Sequence, residues 1–279
     1  MVDVVGLASG VASISAGGGH TCVVTTAGGV KCWGLNNVGQ LGIESGAESH
    51  VPVDVFGLAS GIVAVAGGNI HTCALTSIGG VKCWGSNIHG ELGNNSTATF
   101  SLVPVDVSGL ASGVVAIAGG AVHTCAVMAT GSVKCWGDNT HGQLGNNSVA
   151  PSLVPVDVST LANAKEIAVG GDPTFGRSHS CALTATGDIQ CWGNHGFGQL
   201  GTGGFESGSL VPVQVAGISS GATSLAAGNL HALAVTAGNA VKGWGDGSRG
   251  ELGGATSTEA LGPLAIPSWA PGSPRSRPG

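Results

Sequence analysis

Short apolar runs bounded by glycines recur along this chain, and each run is only four or five residues long. A clear series lies at residues 114–118, 123–127 and 133–136, where valine and alanine dominate. Runs of this length predict β-strands, because helices need longer segments with a period of 3.6 residues. A fourth strand is predicted at residues 104–107, with Pro104 at its first position, where the missing N–H costs no ladder bond. The pattern predicts an all-β chain of short antiparallel strands.

The series repeats five times with a period of about 52 residues. One tryptophan marks each unit, at spacings of 51, 52, 56 and 52 residues, and one histidine precedes each tryptophan by 13 residues. The tryptophans are Trp33, Trp84, Trp136, Trp192 and Trp244, and the histidines are His20, His71, His123, His179 and His231. Four units have a glycine in the turn between the second and third strands, where the fifth has Asn239. These two residue types tolerate positive φ best, so a positive φ is predicted there.

Four short strands per unit predict a β-propeller, whose radial sheets leave only short protected edges. Residues 1–266 are predicted to form this single repeat domain, and the Pro-rich residues 267–279 a disordered tail. The number of blades stays open between a five-bladed ring and part of a larger ring. Residues 1–4 and 263–266 both resemble the strand at 104–107. A closed ring needs that strand only once, which favours the partial ring.

Composition and charge narrow the possible functions. Nine Lys and Arg residues against 15 Asp and Glu leave a net charge of −6 and no basic stripe, which argues against nucleic-acid binding. No apolar stretch approaches the ~18 residues that a membrane helix needs. The first residues lack the basic and apolar regions of a secretory signal.

The runs 68–76, 80–87 and 89–93, which read GNIHTCALT, GVKCWGSN and HGELG, resemble the regulator of chromosome condensation repeat. The resemblance covers about residues 1–266 and implies a propeller, most often of seven blades, that serves mainly in protein interaction. The best-known member of that family is a guanine-nucleotide exchange factor, and others include an ultraviolet-B sensor and a secreted β-lactamase inhibitor. That sensor places tryptophan beside the repeat histidine. Here those positions hold Gly19, Ile70, Val122, Ser178 and Leu230, so light sensing is not expected.

Eight cysteines form four equivalent pairs that flank the predicted hairpin turn: Cys22 with Cys32, Cys73 with Cys83, Cys125 with Cys135, and Cys181 with Cys191. We assign Ala232 and Gly243 to the corresponding slots of the fifth unit, which therefore lacks both cysteines. Joint loss is what a disulfide predicts. The rival interpretation is a zinc site built from histidine and two thiols, with only three ligands per unit. Disulfides favour an extracellular or cell-surface location, and a cytoplasmic one is the alternative.

Residues repeated in every unit are predicted to be structural. Each repeat histidine is expected to hydrogen-bond a neighbouring backbone group or turn, and each tryptophan to pack between blades. No Ser-His-Asp or Cys-His set stands apart from the repeat, so no catalytic, metal or cofactor site is predicted.

One insertion breaks the repeat symmetry. Four extra residues within 171–178 are predicted to lengthen the loop between the first and second strands of the fourth unit. Asp172, Phe175 and Arg177 are the candidate partner-binding residues, because aromatic and arginine side chains on rim loops are typical interface anchors. A tolerated loop insertion without function is the alternative.

The function expected from the sequence is a non-enzymatic scaffold that presents loops of a disulfide-linked propeller to a protein partner. A guanine-nucleotide exchange factor for a small GTPase is the first alternative, although no long insertion is available to act as a wedge. A carbohydrate-binding propeller is the second, although the chain has no tyrosine and five phenylalanines.

Overall fold

A computed structural model describes residues 3–172, 174, 176–253 and 259–266. These residues form five four-stranded sheets. The first sheet comprises β1 (Val11–Ala16), β2 (His20–Thr25), β3 (Val30–Gly34) and β4 (Ser49–Asp54), and the second β5 (Ile62–Gly67), β6 (His71–Thr76), β7 (Val81–Ser86) and β8 (Phe100–Asp106). The third comprises β9 (Val114–Gly119), β10 (His123–Met128), β11 (Val133–Gly137) and β12 (Ser152–Asp157), and the fourth β13 (Ala164–Asp172), β14 (Arg177–Thr184), β15 (Ile189–Asn194) and β16 (Gly208–Gln214). The fifth comprises β17 (Ser224–Ala227), β18 (His231–Thr236), β19 (Ala240–Gly245) and β20 (Ala260–Ala265).

Within each sheet the strands follow one another in chain order and pair antiparallel, as the sequence predicts. The connections between first and second strands and between third and fourth strands therefore lie at one end of every sheet, here called the loop face. The hairpin turns between second and third strands lie at the opposite end. One of them carries Asn239 with a φ of +61°, which confirms the predicted left-handed turn position.

The fourth strand of each sheet is longer than predicted. In the second sheet β8 begins at Phe100, so Pro104 lies inside the strand and not at its first position. The strand tolerates the proline because it is at the sheet edge, and because its pairing with β7 shifts register beside this residue, between Cys83 and Gly85.

Four apolar cores join the five sheets in chain order. Between the first and second sheets, Val24 and Leu41 of the first pack against Ile62, Ala74 and Trp84 of the second. Equivalent residues form the next three cores. The repeat tryptophans Trp84, Trp136, Trp192 and Trp244 are each fully buried in the core shared with the preceding sheet, as predicted.

The first strands of all five sheets border a central cavity of about 450 Å³. Its wall includes one glycine from each unit: Gly17, Gly68, Gly120, Gly170 and Gly228. A Cβ at Gly68 would clash with the imidazole of His71, so the glycine lets the ring approach the backbone. Within the part of the chain that the structure describes, no helix has the length and apolar character needed to cross a membrane.

Candidate functional site: the joints between sheets and the extended hairpin

All four predicted cysteine pairs are disulfides. Each links residues directly opposite each other on the second and third strands of a sheet, with Cα atoms 4.0 to 4.1 Å apart. The side chains of all eight cysteines are fully buried. The sulfur atoms are therefore not available as zinc ligands, which was the alternative interpretation of the cysteine pairs. Among the described residues, no three His, Cys, Asp or Glu side chains are arranged to hold a metal ion.

The fifth sheet corrects one assignment made from the sequence. Leu233, and not Ala232, lies opposite Gly243 and so occupies the first cysteine slot. A Cβ at Gly243 would meet the Leu233 side chain at 2.8 Å, which shows that leucine fills the space of the missing disulfide. Ala232 lies opposite Trp244 and occupies the position that Thr72, Thr124 and Ser180 hold in the preceding sheets.

The repeat histidines of the first four sheets are buried at the boundary with the next sheet. The Nε2 atom of His20 lies 2.8 Å from the hydroxyl of Thr72, and the same contact joins His71 to Thr124 at 3.0 Å. His123 lies 2.8 Å from the Ser180 hydroxyl. The histidines are thus structural, as predicted, but their partner is a side-chain hydroxyl of the next sheet and not a backbone group or turn.

The same hydroxyl also fixes which nitrogen of the histidine carries the proton. Thr72 Oγ1 donates to the carbonyl of Gln40 at 2.8 Å, so it must accept from Nε2–H of His20. The Nδ1 atoms of His20, His71 and His123 are buried without a partner. Burial lowers the pKa of His71 and His123 to about 3 and the pKa of His20 to about 4, so these rings are neutral.

An indole completes each joint. Trp84 Nε1 donates to the Gln40 carbonyl at 2.9 Å, the same oxygen that accepts from Thr72. Trp136, Trp192 and Trp244 repeat the contact with the carbonyls of Glu91, Gln143 and Gln199 at 2.7 to 2.9 Å. One sheet therefore supplies a histidine and a carbonyl, and the next sheet supplies a hydroxyl and an indole N–H. We call this set the inter-sheet joint.

The joint between the fourth and fifth sheets lacks its hydroxyl. Ala232 stands in place of threonine or serine. Both ring nitrogens of His179 are therefore buried without a hydrogen-bond partner, although the His231 backbone lies nearby. Burial lowers the pKa of His179 to about 4. Burying a polar group without a partner is destabilising.

Ala232→Ser is therefore expected to stabilise the chain by about 1 kcal/mol, because serine restores the bond that His123 makes with Ser180. Urea unfolding followed by tryptophan fluorescence measures the change. Ala234→Ser is the matched control, since Ala234 is equally buried and lies in the apolar core shared with the fourth sheet. The explanation is wrong if the two variants change stability alike.

The residue that supplies the carbonyl to each joint is a glutamine in the first, third and fourth sheets and a glutamate, Glu91 or Glu251, in the second and fifth. Of these two glutamates only Glu91 is buried. Its carboxylate accepts from the backbone N–H of His89 at 2.8 Å. In the third sheet the Gln143 side-chain oxygen accepts the equivalent bond from the backbone N–H of His141 at 2.9 Å, and its NH₂ group also donates to Asp138 at 2.6 Å. Burial raises the pKa of Glu91 above its ordinary value.

Glu91→Gln is expected to stabilise the chain at pH ~7.5 by about 1 kcal/mol, because it removes a buried negative charge. Because the pKa of Glu91 is raised in the fold, its protonated carboxyl contributes stability at low pH. This contribution to the free energy of unfolding is lost as pH rises through the folded pKa. The advantage of the variant should therefore shrink toward pH ~4.5. Urea midpoints across this range test it. Glu251→Gln, at the same repeat position but partly exposed, should show little change.

The insertion in the fourth unit extends a hairpin. β13 and β14 are longer than their counterparts, and Asp172 pairs with Arg177 at the end of the added ladder. The prediction of a longer loop is thus corrected, because the extra residues continue the strand pairing. Asp172 accepts a hydrogen bond from the Thr174 backbone at 2.8 Å. Phe175, the third candidate partner-binding residue, lies outside the described residues, as does the tail at 267–279.

Arg177 is half-buried and not displayed on the rim. Its guanidinium lies 5.0 Å from the ring centroid of Phe197, in the loop between β15 and β16. Phe197 was not among the residues predicted from the sequence. The signal available there is that phenylalanine occurs at this repeat position in the fourth unit only, whereas the other units have Val38, His89, His141 and Arg249. The contact fixes the extended hairpin against the neighbouring loop.

Comparison with known proteins agrees with the repeat. The regulator of chromosome condensation (RCC1) repeat matches residues 11–40, 62–91, 114–143, 174–199 and 222–251, and a second description of the same repeat matches 27–75, 79–127 and 130–183. The ultraviolet-B receptor UVR8 of Arabidopsis thaliana is 34% identical over 243 residues. That alignment covers 86% of this chain, which spans 54% of the receptor's length.

Two solved structures have the same fold. Human WBSCR16 superposes with a TM-score of 0.80 at 24% identity, over 94% of this chain and 67% of that one. Prp20p of Saccharomyces cerevisiae superposes with a TM-score of 0.78 at 23% identity, over 92% of this chain and 63% of that one. At these identities the likeness shows the propeller fold alone.

Proposed function

The chain belongs to the regulator of chromosome condensation (RCC1) repeat family, and we propose that it is a non-enzymatic scaffold that binds a protein partner through its loop face, at the extended hairpin of the fourth sheet. The repeated histidines, hydroxyls and tryptophans are used in joints between sheets, which leaves the loops to carry function. Structures of this fold support the proposal, since Prp20p is described with its binding properties to Gsp1p and histones.

The observation that carries the proposal is the break in repeat symmetry at the hairpin. Arg177 and Phe197 hold the hairpin in a defined position, so a partner meets a preorganised surface. Phe205, in the same β15–β16 loop as Phe197, is 92% exposed. An exposed aromatic side chain in the loop that contacts the hairpin through Phe197 is typical of protein-binding surfaces.

Charge and disulfides indicate the kind of partner. Asp172 ends β13 and Glu206 lies in the loop between β15 and β16, both on the loop face. The chain as a whole carries −6, and this charge favours a partner with basic groups. Four buried disulfides favour an oxidising compartment. We therefore place the partner in the extracellular space or at the cell surface.

Site-specific photo-crosslinking tests the proposal. A photoreactive residue at position 174, in the extended hairpin, is compared with one at Thr130, an equally exposed threonine at the opposite end of the third sheet. Incubation with extracellular fluid and cell surfaces of the native source should give a discrete crosslinked protein only from position 174. Arg177→Ala should reduce the yield about tenfold, because it removes the contact with Phe197 that holds the hairpin in position for the partner.

Equal crosslinking from both positions, or no dependence on Arg177, would contradict the proposed surface. Accelerated nucleotide release from a small GTPase would instead support the exchange-factor alternative.

A further inference from the structure

The loop between β15 and β16, residues 195–207, is held by a histidine, whereas the equivalent loops of the first three sheets are held by an asparagine. The asparagines are Asn36, Asn87 and Asn139, and the fourth sheet has His195 at this repeat position. All four side chains are buried. Because the loop at 195–207 carries both Phe197 and the exposed Phe205, its anchor bears on the proposed partner-binding surface.

Each asparagine makes the same three hydrogen bonds, which close its loop. Asn139 Oδ1 accepts from the backbone N–H of Leu144 at 2.9 Å, and its Nδ2 donates to the carbonyls of Ser148 and Ala150 at 2.9 and 3.0 Å. The asparagines of the first and second sheets also bond residues five, nine and eleven positions further along the chain. An amide provides both the acceptor and the donors, and it does not titrate.

His195 reproduces this arrangement with its two ring nitrogens. Nδ1 accepts from the backbone N–H of Leu200, five positions on, at 3.0 Å. Nε2 lies 3.1 Å from the carbonyl of Gly204, nine positions on, and 3.2 Å from the Thr202 hydroxyl. Among the described contacts, His195 makes none with the carbonyl eleven positions on, because a neutral imidazole has one N–H to donate where an amide has two.

These contacts fix the protonation state of the ring. A backbone N–H can only donate, so Nδ1 must carry a lone pair, and the ring proton is on Nε2, where it faces the Gly204 carbonyl. A second proton on Nδ1 would point at the N–H of Leu200 and abolish that hydrogen bond. The closed loop therefore requires a neutral His195.

Other titratable or charged groups of the fourth sheet lie near His195. His179 on β14 interacts with it electrostatically, and burial lowers the pKa of His179 to about 4, so that ring is neutral. Glu206 lies on the loop itself, near the Nε2 side of the ring, and Arg177 lies on the adjoining hairpin. Nδ1 faces Leu200 and not the Glu206 carboxylate, so a proton on Nδ1 finds no acceptor there.

The neighbouring sheets engage their charged side chains elsewhere. The charged residues of the loop between β19 and β20 border the cavity beside the repeat histidine of the fifth sheet; they are Asp246, Arg249 and Glu251. The loop at 195–207 lies against residues 260–261 of that sheet, which do not titrate. Asp138 of the third sheet is bonded within its own loop. The pH dependence of the loop at 195–207 therefore comes from His195 itself.

We propose that His195 is a pH-sensitive latch on the partner-binding surface: it holds the loop at 195–207 closed while its ring is neutral and releases the loop when the ring takes up a proton. Histidine is the side chain that ordinarily changes charge between pH 5 and 8. Release displaces Phe205 together with Phe197, which supports the extended hairpin, so partner binding is lost on mild acidification. This use rests on the proposed function, but the latch acts on the loop whether or not a partner is present.

NMR spectroscopy of the intact, oxidised chain tests the latch. At pH ~7.5 the ring nitrogen shifts should show His195 protonated on Nε2 alone, and the Leu200 amide should be protected from hydrogen exchange. At pH ~5.5 its protection should fall at least about tenfold after correction for intrinsic exchange, as loss of one buried hydrogen bond requires. The amides of Leu41, Leu92 and Leu144, which donate to asparagine in the other sheets, are internal controls and should stay protected.

Two variants exchange the latch between sheets. His195→Asn supplies the amide that the first three sheets use, so the Leu200 amide should be protected at both pH values. Asn139→His should make the Leu144 amide acid-sensitive in the third sheet. Equal protection of Leu200 at both pH values in wild type, or the same loss in wild type and His195→Asn, would overturn the proposal.

Crosslinking from position 174 separates the latch from the proposed function. Wild type should crosslink to its partner about tenfold less at pH ~5.5 than at pH ~7.5, whereas His195→Asn should crosslink equally at both, because its loop stays closed. Loop release seen by NMR, with no crosslink at either pH, would contradict the proposed partner surface and leave the latch supported. A crosslink that weakens equally in wild type and His195→Asn would contradict regulation by His195.

Discussion

Acidification from pH ~7 to pH ~5 is expected to lower the free energy of unfolding steeply, because four buried histidines must remain neutral in the fold. The pKa is about 3 for His71 and His123 and about 4 for His20 and His179, against 6.5 for an ordinary histidine. Between these values the unfolded chain binds more protons than the folded chain. Stability is therefore constant above pH ~6.5 and falls below it, by about 1.4 kcal/mol per pH unit for each histidine.

Urea unfolding at a series of pH values measures this slope. His123→Gln should reduce the slope by the equivalent of one proton, whatever it does to stability at neutral pH. His50→Gln is the control, because the His50 side chain is 90% exposed and should leave the slope unchanged. Glu91 acts in the opposite direction, since its raised pKa favours the fold at low pH, but it is one group against four. A stability that is flat between pH ~6.5 and ~5 would contradict neutral buried histidines.

Reduction of the four disulfides is expected to remove most of the stability of the chain. Each disulfide links residues separated by 10 positions. Closing such a loop contributes on the order of 2–3 kcal/mol. Four of them together approach the ~5–15 kcal/mol that stabilises a typical domain. Because all eight cysteines are buried, reduction in the absence of denaturant should be slow and limited by opening of the fold.

The fifth sheet provides the matched variant for this experiment. Cys181→Leu with Cys191→Gly copies Leu233 and Gly243, so it removes one crosslink while filling its space. Under oxidising conditions the free energy of unfolding of the double variant should be at most about 2–3 kcal/mol below that of wild type. On reduction its free energy of unfolding should fall by less than that of wild type, because it has one disulfide fewer to lose. Equal urea midpoints for oxidised and reduced wild type would show that the disulfides do not stabilise the fold.

Features that depend on neighbours within one unit could be predicted from the sequence. The strands, the left-handed turn at Asn239 and the cysteine pairs all follow from residues fewer than a dozen positions apart. The insertion at 171–178 was located correctly, but sequence spacing does not distinguish a longer loop from a longer hairpin. Only the pairing of Asp172 with Arg177 decides between them.

The inter-sheet joint could not be predicted in the same way, because its members come from successive units. His20 and Thr72 are 52 positions apart, and His123 and Ser180 are 57 apart. The hydroxyl residues Thr72, Thr124 and Ser180 each follow a repeat histidine and point to the preceding sheet, so the partner of each is the histidine of another unit. The sequence alone assigns Ala232 to the cysteine slot, one residue away from the true equivalent. Because Leu233 pairs with Gly243, Ala232 instead occupies the hydroxyl position, and the hydroxyl beside His179 is therefore missing.

Counting reactive thiols in protein from its native source tests most directly whether this is a disulfide-linked scaffold that works in an oxidising compartment. The protein is denatured and alkylated with or without prior reduction, and its intact mass is measured. We expect no alkylation before reduction and eight modified cysteines after it. Alkylation of all eight without reduction would contradict the disulfides and the extracellular location together, and would favour an intracellular regulatory role.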